Sequence, residues 1–128
     1  MLSLKFNLMK KMEPKIINLP KNEESRGYLT YIEKDLHIPF EISQSSWLYN
    51  IPESENISEE SFADSHHAFF IPLSGSFEVL LKNGNEEYIY NLNHAHQGIL
   101  IPSGFRIKLF NFSTNAIILK LFSTAESI

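Results

Sequence analysis

The 128-residue chain has no cysteine. That excludes a disulfide framework, a thiolate metal site and a cysteine nucleophile. Glycine is scarce, five in all, and none are clustered into a loop that could cradle phosphate. Gly-x-Ser-x-Gly is also missing, and Gly75-Ser76 and Ser103-Gly104 read as turn pairs, so no serine nucleophile stands out. Positive charge is in short supply: eleven Lys and Arg face fifteen Asp and Glu, for a formal net charge of -4. With no basic surplus to neutralise phosphates, nucleic acid is not an expected partner. No apolar run approaches the roughly 20 residues of a membrane helix, so no membrane is expected either. Met1 to Met12 looks superficially like a signal peptide, but Lys5 and Asn7 interrupt it and no small-residue cleavage site follows. A cytoplasmic protein of one ordinary domain is the expectation.

Aromatic residues are what the chain has in quantity, 12% of it, with ten Phe. Together with β-branched residues they favour half-buried pleated surfaces. Short apolar or alternating runs lie at 27–33, 45–51, 68–73, 76–81, 87–92, 98–101, 105–110 and 116–122. Turn-forming groups such as Ser74-Gly75, Pro102-Ser103-Gly104 and Ser113-Thr114-Asn115 separate them. No window keeps a helical period over three turns, so many short strands predict an antiparallel sandwich or barrel. Asn83-Gly84 between two alternating runs predicts a hairpin joining the Phe77 and Tyr88 strands. Pro72 inside a run predicts an edge or a bulge. Residues 1–11, mildly basic and ahead of Met12, read as a loose arm or an overlong start. Residues 52–65 hold five acids and no base, and read as a solvated or functional loop.

The five histidines are the natural acid/base candidates near neutral pH. His66 and His67 are adjacent at the head of the Phe69 strand, so at most one can face a barrel interior. His94 and His96 form His-x-His, a pattern that presents two metal ligands when it lies on a strand. Here it sits in Asn91 to Gly98, which reads as a turn, and a cupin-type metal site would need a further ligand where Ile107 stands. No catalytic metal is expected. His37, beside Ile38-Pro39, is a loop histidine. Trp47 and Tyr49 alternate with Leu48, so one set faces a barrel lumen, as core or as a surface for sugar stacking.

The order of Ser25-Arg26-Gly27-Tyr28-Leu29-Thr30-Tyr31-Ile32-Glu33, then Ile38-Pro39-Phe40, Trp47 and Tyr49, Leu73-Ser74-Gly75-Ser76 with Asn83-Gly84, and Leu100-Ile101-Pro102 resembles the WxcM-like cupins. These are the dTDP-4-keto-6-deoxyhexose 3,4-ketoisomerases of bacterial surface-polysaccharide synthesis, and the resemblance runs from about Met12 to the end. It implies an all-β double-stranded β-helix, the cupin jelly-roll barrel, as one domain over 12–128, usually a homodimer exchanging N-terminal strands. It also implies a dTDP-linked ketodeoxyhexose as partner and a carbonyl moved between adjacent sugar carbons through an enediol. Such chemistry needs a base for the proton α to the carbonyl and an acid at the neighbouring carbon, so histidines suffice without metal or other cofactor. Arg26 matches the family's Arg-Gly and is the implied partner of phosphate or of its own loop. With Trp47 and Tyr49 it makes up the expected substrate-binding set.

One departure bears on catalysis. The family's Arg-Gly-x-His-x-His lies about a strand and a half before the Leu-x-Gly turn. Counting back from Gly75 without gaps lands on Ser58 to Ala63, which contains neither the Arg nor either His. Two outcomes follow. Either a deletion lets His67 act as base, assisted by His66 or Tyr49, or the catalytic residues are lost and the barrel binds a nucleotide-sugar or a partner protein without isomerising. Five nearby carboxylates would repel a pyrophosphate and point to the second. A metal cupin using His94 and His96 is a third reading.

Overall fold

The computed structural model describes residues 13–52, 55–58 and 66–124. Every regular element among them is a strand: β1 (Lys15–Asn18), β2 (Asn22–Glu24), β3 (Gly27–Leu29), β4 (Ile42–Leu48), β5 (Ile57–Ser58), β6 (Ala68–Ser74), β7 (Phe77–Asn83), β8 (Glu86–Leu92), β9 (Gln97–Ile101), β10 (Arg106–Phe110) and β11 (Ile117–Ser123). Five strands form one sheet in the order β1-β9-β6-β11-β4, and four form a second in the order β5-β10-β7-β8. From β4 onward the chain passes back and forth between the two sheets, all their pairings are antiparallel, and the result is the jelly-roll plan. The β2-β3 hairpin is a separate two-stranded ribbon.

Alternation along the strands divides the side chains into two packed layers. Between the sheets lie Phe70, Phe77, Val79, Leu81, Leu92, Ile99, Ile101, Ile107, Leu109, Ile118 and Phe122, closed in by Phe105 and Phe112. On the outer side of the five-stranded sheet, Phe69, Ile71, Leu100 and Leu121 are covered by Leu19, Ile38 and Phe40 from the segment between β1 and β4. Each such side chain contributes roughly 1.5–3 kcal/mol when fully buried. Phe40, Phe69, Phe70, Phe77, Phe105, Phe112 and Phe122 are all buried in these layers, whereas Tyr28, Tyr31, Trp47 and Tyr49 remain exposed.

The Asn83-Gly84 hairpin forms: β7 and β8 pair from Phe77↔Leu92 to Asn83↔Glu86, with Gly84 at φ 62° in the turn. Pro72 lies at a register shift in the β6-β11 ladder, Ile118 pairing with Pro72 and Ile117 with Ser74. It also lies past the last β6-β9 pair, Phe70↔Ile99, so a bulge accommodates the missing N–H in a central strand. The run at 27–33 ends as a strand at Leu29; beyond it the chain crosses the outer face of the sheet, with an isolated bridge Lys34↔Ile38. In that crossing His37 Nδ1 accepts the Glu33 N–H at 2.8 Å while the His37 N–H donates to the Glu33 carbonyl at 2.9 Å. Its role is to hold a turn. The acidic segment contributes β5, whose Ile57 and Ser58 pair with Leu109 and Lys108. The expected arm at 1–11 lies outside the described residues.

Candidate functional site

The paired histidines sit where β6 begins, β11 ends and the β9-β10 turn passes. The His67 N–H donates to Ser123 Oγ at 2.9 Å, and the Ser123 N–H donates to the His67 carbonyl at 3.0 Å. The Ser103 N–H donates to His67 Nδ1 at 2.9 Å. His67, Ser103 and Ser123 are the buried polar residues among those described, and all three belong to this one corner. A backbone N–H can only donate, so Nδ1 of His67 uses its lone pair as acceptor and the neutral ring carries its proton on Nε2. Burial, with a smaller push from neighbouring His66, lowers the His67 pKa from 6.5 to about 4. The ring packs 6.2 Å, centroid to centroid, from Phe40 of the outer layer. His67 is thus directed away from the space between the sheets.

His66 is arranged differently. Its Nδ1 lies 2.6 Å from the Ser123 carbonyl. A carbonyl only accepts, so Nδ1 carries the proton. His66 is only partly buried.

Trp47 and Tyr49 lie together on the outer face at β4, 59% and 61% exposed, while Leu48 packs against the interior cluster. They line an open depression of about 660 Å³ with Leu73, Ala116, Ile117 and Leu119. Neither faces the lumen. Arg26 is exposed in the turn of the β2-β3 hairpin and is not among the residues lining that depression. The structure therefore joins Trp47 to Tyr49 and His66 to His67, but it does not bring the two pairs and Arg26 into one cavity. His94 and His96, before β9, have ring centroids 5.4 Å apart.

One residue escaped the sequence reading. Lys120 of β11 pairs with Ser46 on one side and Phe70 on the other. It shares the interior face with Ile118 and Phe122, which flank it two residues away on the same strand. On β4 the same face carries Gln44, opposite Phe122, and Ser46. β4 is an edge strand of its sheet. Its two faces are chemically distinct: aromatic outside, and a polar strip of Gln44, Ser46 and Lys120 inside. Alternation within Ile117 to Phe122 was the available signal, because it places Lys120 in phase with two core residues.

Comparison with known proteins gives this geometry a family. A model for FdtA, described as WxcM-like, C-terminal, matches residues 12–125. A TDP-4-oxo-6-deoxy-alpha-D-glucose-3,4-oxoisomerase of Aneurinibacillus thermoaerophilus is 27% identical over 112 residues, 88% of this chain and 80% of the relative. A 3,4-ketoisomerase from Thermoanaerobacterium thermosaccharolyticum, a mutant solved in complex with TDP-4-keto-6-deoxyglucose, matches with a TM-score of 0.78 at 26% identity, over 89% of this chain and 82% of the other. The TDP-quinovose 3,4-ketoisomerase from Campylobacter jejuni matches with a TM-score of 0.81 at 25% identity, over 89% and 87%. Residues 59–63, where most of the family's Arg-Gly-x-His-x-His pattern falls on an ungapped count, lie outside the described residues.

Proposed function

The chain belongs to the WxcM-like, C-terminal family, and from that premise we propose that it binds a dTDP-linked ketodeoxyhexose across the β4 edge without shifting the sugar carbonyl through His67. The observation that carries this reading is the two-faced edge strand. Trp47 and Tyr49 offer a planar apolar surface for a ring on one side, and Gln44, Ser46 and Lys120 offer hydrogen-bond donors and a cation on the other. A ligand lying over a strand at the edge of its sheet, as β4 is among the described residues, reaches both faces at once. The related ketoisomerase solved with TDP-4-keto-6-deoxyglucose supports the ligand class.

The same geometry speaks against His67 as base. A carbonyl shift needs a lone pair within reach of the proton α to the carbonyl and a pKa near the working pH. His67 spends its Nδ1 lone pair on Ser103, is buried against Phe40 and titrates near 4. At neutral pH it is an uncharged structural ring.

A second reading rests on His66. With its Nδ1–H directed to the Ser123 carbonyl, its Nε2 lone pair suits proton abstraction, and in that reading His66 carries the isomerase chemistry. The family's homodimer and the cytoplasmic location belong to the same proposal; sedimentation of the pure chain tests the dimer.

Trp47 is the chain's single tryptophan, so its fluorescence reports directly on this site. Titration with dTDP-4-keto-6-deoxyglucose is expected to give a saturable change in Trp47 emission, with affinity reduced at least tenfold in Tyr49→Ala. A flat titration, or an unchanged Tyr49→Ala affinity, would overturn the site.

A further inference from the structure

His94 and His96 have no part in that reading, yet the fold builds a cavity around them. Of about 520 Å³, it lies on the outer side of the five-stranded sheet, under the β2-β3 hairpin. Its floor is apolar, from Leu19, Ile71 and Leu119, and its rim carries the nitrogen groups of Lys21, His94 and His96. The Lys21 ammonium stands 4.5 Å from the centre of the Tyr28 ring, which also lines the cavity. Among the described residues lining it there is no carboxylate, although the chain as a whole is net acidic.

The turn that carries the histidines is fixed on both sides. The Leu19 N–H donates to the His96 carbonyl at 2.7 Å, and the Gln97 N–H donates to the His94 carbonyl at 3.1 Å. Gln97 Nε2 adds a bond to Asn18 Oδ1 at 2.7 Å. The two imidazoles are thus held side by side at the end of β1 before any ligand arrives, which lowers the ordering cost of binding.

We propose that this cavity is a binding site for an organic phosphate, a phosphoryl group on a flat apolar body, with Lys21, His94 and His96 meeting the oxygens and the leucine and isoleucine floor meeting the ring. Charge-assisted N–H···O bonds to phosphate are the strong members of their class. The apolar floor selects against free inorganic phosphate, which has nothing to bury there. This site adjoins the depression beside β4, with which it shares Leu73 and Leu119, but its nitrogen groups are its own and it does not depend on nucleotide-sugar binding.

The test is a nitrogen-15 NMR titration of the full chain with phenyl phosphate, phenol and inorganic phosphate. The expected result is saturable shifts at Lys21, His94 and His96, with phenyl phosphate at least tenfold tighter than either other probe. Lys21→Met and the His94→Asn/His96→Asn double variant should each lose at least fivefold affinity. Lys21→Arg, which keeps the charge, should retain it, and unchanged spectra elsewhere will verify that the variants are folded. Equal affinity for phenol and phenyl phosphate overturns the proposal, as do variants that bind like the wild type. Stoichiometric zinc binding at His94 and His96 with no response to phenyl phosphate overturns it in favour of a metal pair.

Discussion

The Ser103 N–H and His67 Nδ1, thirty-six residues apart, are joined by a buried 2.9 Å hydrogen bond. That contact fastens the β9-β10 turn to the head of β6 and occupies the nitrogen that a catalytic His67 would need. Protonating the ring would set an N–H against an N–H.

A pH dependence follows from the lowered His67 pKa. The folded ring titrates near 4 and the unfolded ring near 6.5, so between those values the unfolded chain binds more protons. The stability contributed by neutral His67 is complete above about pH 6.5 and is lost as pH falls towards and through 4. The loss is on the order of 2–3 kcal/mol. Urea unfolding at pH 7 and pH 4 should show a larger difference for wild type than for His67→Asn, whose amide oxygen still accepts the Ser103 N–H but does not titrate. Equal acid sensitivity in the two proteins would rule this out.

Packing at Gly98 supplies a second prediction. A Cβ built there runs into the ring of Phe69, which lies over this position from the neighbouring strand. Phe69 is fully buried, packed in the outer layer with Leu19, Ile38 and Phe40. Gly98→Ala should therefore cost on the order of 1–3 kcal/mol in chemical denaturation. Combining it with Phe69→Leu should recover part of that loss, so that the double variant is more stable than the sum of the two single changes. Strict additivity would mean the clash lies elsewhere.

Two tyrosines tie β8 to the residues before β1. Tyr88 Oη donates to Glu13 at 2.9 Å, and Tyr90 Oη donates to the Pro14 carbonyl at 3.0 Å. The Glu13 carboxylate, through that hydrogen bond and then through its charge, helps push the Tyr88 pKa up to about 12. Burial raises that of Tyr90. In a spectrophotometric titration Glu13→Gln should bring the Tyr88 midpoint back towards 10 and leave most of the Tyr90 shift. Tyr90→Phe should lose about 1 kcal/mol of stability.

Lys120 separates binding from folding. Lys120→Met keeps the length of the side chain and removes the charge from a face shared with Ile118, Phe70 and Phe122. Urea unfolding of the same variant is measured alongside, so that a loss of fold is not mistaken for a loss of affinity. Affinity for dTDP-4-keto-6-deoxyglucose should fall at least tenfold, about 1.4 kcal/mol. A variant that binds normally would remove Lys120 from the site.

The strands from β6 onward were legible because their runs alternate and their turns carry Gly, Asn or Pro at the right places. The hairpin at Asn83-Gly84 and the bulge at Pro72 follow from single residues whose backbone preferences are narrow. The crossing at 31–40 was not legible as such. Ile32, Ile38 and Phe40 are apolar because they cover the outer sheet face, and a covering loop has the same composition as a strand. Which way His67 faces depends on Phe40 and Ser103, which are remote in sequence. For Trp47 and Tyr49, alternation says only that they share a face opposite to that of Leu48, and sheet pairing is what makes theirs the outer one.

The most direct test of the central claim is deuterium incorporation at carbon 3 of dTDP-4-keto-6-deoxyglucose, followed in deuterated water alongside its binding to the full chain. Saturable binding with no exchange above the buffer rate is the expected result. Exchange that disappears in His66→Asn would move the account to its second reading, with His66 as the proton carrier. Exchange that disappears in His67→Asn while His66→Asn stays active would contradict it outright.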